Sequence, residues 1–86
     1  MHDTFLLNNI SRSLNEICEK SKIRKIYRLT VIVNYNSHVN EENLLIHLKQ
    51  NNAALLGNDF RLKVKKEDIE DQTAIVHSIQ GEIVEE

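Results

Sequence analysis

Residues 23–35, IRKIYRLTVIVNY, are rich in β-branched side chains and predict the strand from which the fold can be worked out. Alternate residues of a strand face opposite sides of its sheet, and one alternating set here is apolar or aromatic. This core-facing set comprises Tyr27, Leu29, Val31, Val33 and Tyr35, and the other comprises Arg28, Thr30 and Asn34. Ile26 and Ile32 interrupt the alternation. We therefore expect a strand with one face in the core.

The following segment, NSHVNEENLLIHLKQNN (residues 36–52), predicts a loop that leads into a helix. Asn40 is a favourable N-cap, and Glu41 and Glu42 suit the positive end of the helix dipole. Val39 is placed to pack against Leu44 across the helix start as a hydrophobic staple. The predicted buried face consists of Leu44, Leu45 and Leu48.

Two further strands are predicted after this helix. Gly57 and Asn58 indicate a turn, and FRLKVK (residues 60–65) then alternates between apolar and basic residues. Phe60, Leu62 and Val64 are expected to face inward, and Arg61, Lys63 and Lys65 outward. After an acidic turn, TAIVHSIQGEIV (residues 73–84) predicts the last strand, with Gly81 at a bulge or an early end. Its inward set is predicted to be Ile75, His77, Ile79 and Ile83.

An amphipathic helix is predicted before all of these elements. Asp3 or Thr4 can N-cap a helix that runs to about Lys20. Phe5 falls outside its apolar stripe, which comprises Leu6, Leu7, Ile10, Leu14, Ile17 and Cys18. The polar face comprises Arg12, Asn15, Glu16 and Glu19, and Ser11 and Ser13 are assigned to the polar side as well.

The element order is therefore α-β-α-β-β, which predicts an α+β fold in a single domain spanning residues 1–86. A strand, a helix and a strand in succession favour a right-handed parallel crossover. We expect a small three-stranded mixed sheet with two helices packed on one face.

Composition excludes several classes of function. The chain is 41% hydrophobic and 28% charged, with net charge −2, so its overall charge does not favour nucleic acid. No apolar stretch approaches membrane-spanning length, and the start lacks the basic region of a secretory signal. The only cysteine, Cys18, allows neither an internal disulfide nor a cysteine zinc cluster. We expect a cytoplasmic protein that binds neither membrane nor nucleic acid. It is not expected to be an enzyme, since no phosphate loop, nucleophile elbow or acid–base pair is present.

The first residues, Met1, His2 and Asp3, contain the set of groups best suited to a metal. The α-amino group and the His2 amide nitrogen close a five-membered chelate ring, and His2 Nδ1 closes a six-membered ring with the same amide. Such nitrogen-rich, near-planar sets suit Ni(II) or Cu(II), whereas Zn(II) prefers a tetrahedron. A fourth ligand can come from the Asp3 amide or carboxylate, or from another protein. The alternative is that these residues are solvated and bind nothing.

The sequence also resembles the HypA family of nickel chaperones, which act in hydrogenase and urease maturation. MHDTFLLNNISRSLNEI is similar to the family's opening Met-His-Glu and first helix. IRKIYRLTVIVNYNSHVNEENLLIHLKQ resembles its first strand, loop and second helix, and LLGNDFRLKVKKE its next turn and strand. AIVHSIQGEIVEE is similar to its last strand.

The chain departs from that family in one large feature. The family inserts a zinc-binding module with paired CxxC motifs before the last strand, and here the chain passes directly from KKEDIED to QTAIVHS. Asp3 replaces the family's Glu, and Asn34 stands where a glycine is common. We therefore expect Ni(II) and no zinc.

The resemblance implies a role as a nickel-binding accessory protein for a nickel enzyme such as [NiFe]-hydrogenase. It implies His2 as the essential nickel ligand, with Met1 and Asp3 as companions. The implied partners are the nickel-enzyme precursor and a nickel-inserting GTPase.

A metal-free interaction module of the same fold is the alternative, with a homodimer formed through an edge strand. His38 is expected in a surface or capping role, His47 in water and His77 packed at a sheet edge. Cys18 is expected to pack as a small apolar residue. The row Arg61, Lys63 and Lys65, beside Arg28, is expected to be a solvated sheet face, although it could also contact phosphates or acidic protein surfaces.

Overall fold

The computed structural model describes residues 4–84, which form two helices and three strands in the predicted order. A single turn of 3-10 helix, Ala53–Leu55, precedes the second strand. The elements are α1 (Thr4–Ser21), β1 (Ile23–Asn34), α2 (Glu41–Asn51), β2 (Leu56–Glu67) and β3 (Ala74–Ile83). The α+β class and the α-β-α-β-β order are confirmed.

β1 is the central strand of the sheet, whose strand order is β2-β1-β3. It pairs in parallel with β2 and antiparallel with β3, so the sheet is mixed as predicted. Parallel pairing of β1 and β2 requires the chain to cross from one end of the sheet to the other, and α2 makes this crossing.

Both helices pack on one face of this sheet. The buried residues of α1 and α2 form one cluster with those on the inner face of β1. Leu14, Leu29 and Leu44, one from each element, are at most 1% exposed. Each fully buried aliphatic side chain contributes about 1.5–3 kcal/mol of hydrophobic free energy. The cluster comprises Leu6, Ile10, Leu14, Cys18, Ile26, Leu29, Val31, Val33, Val39, Leu44 and Leu48.

The prediction for β1 is wrong at both ends of the strand. The register with both neighbours shifts between Ile26 and Arg28, so Ile26 enters the core and Tyr27 is 42% exposed. β1 ends at Asn34, which leaves Tyr35 62% exposed beyond it. A register shift reverses the side that each later residue faces, and alternation alone does not predict where the shift occurs.

Gly57 and Asn58 lie within β2, so the turn predicted there is wrong. The change of direction occurs earlier, in the 3-10 turn. Gly57 is needed for close approach to β1, since a Cβ at this position would lie 2.8 Å from Tyr27 Cδ1 and 3.2 Å from the Ile26 carbonyl oxygen. The rest of β2 follows the prediction, with Phe60, Leu62 and Val64 packed against the core.

In the first half of β3, the residues that face the core are the opposite set from the one predicted. Thr30 pairs with Ser78 and Val31 with Val76, so His77 is an extra residue on β3. This bulge turns Ala74 and Val76 toward the core together with Ile79, whereas Ile75 and His77 are exposed. Ile83, also predicted to face inward, is 61% exposed at the strand end.

Gly81 lies at an irregular pairing, as predicted. It pairs with Ile26 next to the register shift, and a Cβ there would come within 2.1 Å of the Lys25 carbonyl oxygen. A side chain at this position would therefore separate β3 from β1.

The start of α2 agrees with its predicted capping. The Asn40 side chain accepts from the Asn43 backbone N–H at 2.9 Å, and the Asn43 side chain accepts from the Asn40 N–H at 2.9 Å. Val39 and Leu44 are fully buried in the same cluster, as a hydrophobic staple requires. These contacts fix the direction in which the chain leaves the loop after β1.

A buried polar network joins α1 to the end of α2. Ser11, predicted on the polar face, is buried, and its Oγ donates to Asn52 Oδ1 at 2.6 Å. Asn52 Nδ2 in turn donates to the Ser11 carbonyl oxygen at 3.2 Å and to Asn15 Oδ1 at 2.9 Å. The Asn52 amide thus has partners for both of its polar atoms although it is only 3% exposed.

We expect Asn52→Ala to lower the free energy of unfolding by about 1–3 kcal/mol, because it leaves Ser11 Oγ without its partner inside the protein. Urea unfolding followed by circular dichroism would measure the change. Asn51→Ala is the matched control, since Asn51 is exposed and its side chain donates to the His47 carbonyl oxygen of its own helix. Its effect should stay within about 0.5 kcal/mol. Equal losses in the two variants would contradict the role given to Asn52.

Candidate functional site

The predicted metal ligands Met1, His2 and Asp3 lie outside the described residues, which begin at Thr4. Thr4 is already the first residue of α1. The helix is held by four buried apolar side chains along its length: Leu6, Ile10, Leu14 and Cys18. The described part of the chain therefore begins with a helix that is fixed to the sheet.

The first turns of α1 lie beside the beginning of β3. Leu6, Asn9 and Ser13 line a shallow groove together with Gln72 and Thr73. The turn between β2 and β3 carries exposed carboxylates at Asp68, Glu70 and Asp71. This short acidic turn ends next to α1.

His38 and His77 occupy exposed positions. His38 lies exposed in the loop before α2, as the predicted surface role requires, and its carbonyl oxygen accepts from Asn43 Nδ2 at 2.8 Å. His77 lies on an edge strand as predicted, but the bulge exposes it, so its predicted packing is wrong.

His47 was predicted to lie in water and instead is partly buried in α2. Its Nε2 atom is buried without a hydrogen-bond partner in the described part of the chain. The position of His47 relative to Leu44, Leu45 and Leu48 on the same helix does not determine its burial, because burial also depends on contacts made by the tertiary structure.

Cys18 behaves as the apolar residue that was predicted. The thiol belongs to the core cluster and is 3% exposed, and this burial raises its pKa. A higher pKa lowers the fraction of thiolate, which is the form that binds metals and reacts with electrophiles.

Among residues 4–84, no three His, Cys, Asp or Glu side chains are grouped so that they could hold a metal ion. The same residues include no helix with the length and hydropathy needed to cross a membrane. Within this part of the chain, no metal centre is preformed by side chains alone.

The face of the sheet opposite the helices carries a row of cations. Arg61, Lys63 and Lys65 are exposed on β2, as predicted, and Arg28 pairs with Arg61 across the parallel ladder. We call these four residues the basic face. The register also sets Lys63 beside Thr30 and Lys65 beside Ile32 on β1. β3 completes this side of the sheet with Gln80, Ser78 and Ile75.

The outer edge of β2 is covered at its centre by an acidic side chain. Glu41, at the start of α2, accepts a hydrogen bond from the Val64 backbone N–H at 2.9 Å. Lys66 Nζ, two residues along, donates to the Ser37 carbonyl oxygen. An edge N–H that already has a partner cannot bond to an incoming strand, so β2 is protected from edge pairing. The periodicity of the sequence does not predict the hydrogen bond between Glu41 and Val64, because these residues lie far apart in the chain.

Tyr27 and Glu82 form a second contact that the sequence did not reveal. Tyr27 Oη donates to Glu82 Oε1 at 2.8 Å, and this hydrogen bond raises the pKa of the phenol. Arg24 Nε lies 3.4 Å from the other oxygen of the same carboxylate. The two interactions join β1 to the end of β3.

Comparison of the chain with known protein families, with characterised proteins and with solved structures finds no match. The resemblance to the HypA family therefore stays a prediction from the quoted motifs.

We expect Cys18 in the folded protein to react with a disulfide reagent at least about tenfold more slowly than in urea, because a buried thiol reacts only after local opening. Release of the coloured thiolate from Ellman's reagent would measure both rates. Equal rates in the two states would show that Cys18 is accessible.

The burial of Cys18 also makes the stability of the protein depend on pH. Because burial raises the pKa of the thiol, this group contributes stability at pH values below the pKa of the unfolded thiol. The contribution is lost as the pH rises through the higher pKa of the folded thiol.

Proposed function

We propose that this chain is a cytoplasmic nickel-binding accessory protein for a nickel enzyme such as [NiFe]-hydrogenase. Its cargo is Ni(II), which it passes on without catalysing a reaction. The proposed ligands are the Met1 amine, the His2 amide and imidazole nitrogens, and a group of Asp3. Its proposed partners are the precursor of the nickel enzyme and a nickel-inserting GTPase, by resemblance to the HypA family.

The chemistry of the donor set supports nickel over zinc. An amine, a deprotonated amide and an imidazole in sequence form fused chelate rings that favour a square arrangement. Zinc sites instead use tetrahedral sets rich in cysteine and histidine side chains, and the only cysteine, Cys18, is buried.

The observation that supports the proposal is the packing of α1 against the sheet from Leu6 onward, a few residues after the proposed ligands in the sequence. A set of ligands that only a few residues separate from a packed helix explores less space than one on a long flexible tail. The exposed Phe5, at 66%, and the adjacent groove leave apolar surface beside this end of the helix for a protein that receives the metal.

We expect untagged protein to bind an equimolar amount of Ni(II) with a visible absorption band typical of square-planar nickel. His2→Ala should abolish this binding and leave the circular dichroism spectrum unchanged. Calorimetric titration together with absorption spectroscopy would measure both.

His77→Ala is the matched control, because His77 is also an accessible imidazole but belongs to β3. Its titration should match that of the unmodified protein. A variant with residues added before Met1 should bind like His2→Ala, since its α-amino group is displaced. Equal binding by all four proteins, or binding by none, would overturn the proposal.

The second candidate function is a metal-free interaction module that dimerises through an edge strand, and β3 is the observation that favours it. Within residues 4–84 this strand pairs with β1 alone, whereas the edge of β2 is covered by Glu41. β3 also exposes Ile75 and Ile83. Two copies paired through β3 would form a continuous six-stranded sheet.

If this module is the function, we expect a concentration-dependent dimer in sedimentation velocity experiments. Ile83→Lys should weaken the dimer, because a charged residue on an edge strand opposes pairing. Ile46→Lys is the control, since Ile46 is similarly exposed, at 54% against 61%, but lies on α2. A monomer at all concentrations would exclude this function.

A further inference from the structure

We propose that the basic face binds an acidic, extended segment of a partner protein. This inference does not depend on nickel binding, since no residue of the proposed metal site belongs to the basic face. It concerns the side of the sheet that neither helix covers.

The cations of the basic face are regularly spaced. Arg61, Lys63 and Lys65 are alternate residues of one strand, so they repeat at about 6.6 Å on the same side of the sheet. An extended peptide that carries an acid at every second residue has the same repeat. Arg28 lies beside Arg61 on the neighbouring strand and adds a second charge at that end.

These four cations are available to a ligand. All four are exposed, and none forms an ion pair with another residue between positions 4 and 84. Their concentration on one face contrasts with the net charge of −2 for the whole chain. Such a local field attracts an acidic partner although the molecule as a whole is negative.

Acidic residues limit the length of the basic face. Asp59 lies two positions before Arg61, and Glu67 lies two positions after Lys65. The basic face therefore matches a ligand with about three acidic residues at alternate positions. Further acidic residues in the ligand would lie beside Asp59 or Glu67 and would be repelled.

The other residues on this side favour a peptide over a single-stranded nucleic acid. Nucleic-acid-binding sheet faces use aromatic side chains on which bases stack. Two aromatic residues neighbour the basic face in the sequence. Phe60 packs against the core, and Tyr27 packs its ring against Gly57 and bonds its hydroxyl to Glu82. Ile75, 46% exposed and paired with Ile32, instead offers an apolar contact beside the Lys65 end.

The same contacts indicate that the partner approaches the face and not the strand edge. Glu41 already occupies the Val64 N–H at the edge of β2, and its carboxylate would repel an acidic strand that tried to pair there. Side-chain ion pairs on the open face need no vacant backbone group.

The test uses the full chain and a fluorescein-labelled peptide of sequence Glu-Thr-Glu-Thr-Glu-Leu, with binding followed by fluorescence polarisation at about 50 mM salt, where screening is moderate. The double variant Arg61→Glu and Lys63→Glu should weaken binding by about tenfold or more, because it reverses two of the contacting charges. Added salt should weaken the binding of unmodified protein.

The matched control is the double variant Arg12→Glu and Lys20→Glu, which has the same change in net charge on exposed positions of α1. It should change the affinity by less than about twofold, because these residues lie on the helix side of the sheet. A peptide with Gln in place of Glu should not bind.

The proposal is overturned if the unmodified protein does not bind the acidic peptide, or if the two double variants lose affinity equally. It is also overturned if an oligothymidylate of equal charge binds more tightly, which would assign the face to nucleic acid. Dimerisation that is abolished by the double variant on β2 would instead assign the face to a second copy of the chain. Circular dichroism of both variants checks that they fold.

Discussion

The two helices and the two outer strands of this protein are arranged around one buried face of β1. Ile26, Leu29, Val31 and Val33 are almost completely excluded from water, and both helices and both neighbouring strands contribute to the layer that covers them. Because one sheet face supplies the whole core, the two helices must share it, and the opposite face stays open. The two faces of the sheet therefore differ, since the helices cover one and leave the other exposed.

This asymmetry separates two surfaces that can act independently. On the helix side, α1 is packed on the sheet through Leu6, Ile10, Leu14 and Cys18. On the opposite side, β2 displays its cations in a regular row. A protein that carries a metal to a partner needs both a donor set and a surface that recognises the partner. Metal transfer and partner recognition are therefore compatible functions for one small domain.

Polar contacts at the boundaries of the core define how the elements fit together. Asn52 joins α2 to α1, and Glu41 joins α2 to the edge of β2. Asn52 supplies a partner to Ser11 Oγ, which would otherwise lack one inside the protein. Glu41 accepts from the Val64 N–H, which would otherwise be free to pair with another chain. The two residues thus lie at opposite ends of α2 and hold the helix in the crossover between the parallel strands.

The class and order of the elements, the capping of α2, the inward residues of β2 and the chemistry available at Met1, His2 and Asp3 follow from the sequence. These properties are local, because they depend on residues a few positions apart along one helix or strand. The outward positions of Tyr27 and Ile75, the place of Gly57 inside a strand, the burial of Ser11 and the partial burial of His47 follow instead from how the elements pack. Those outcomes depend on register shifts and on contacts between distant segments, and a short-range pattern carries no information about either.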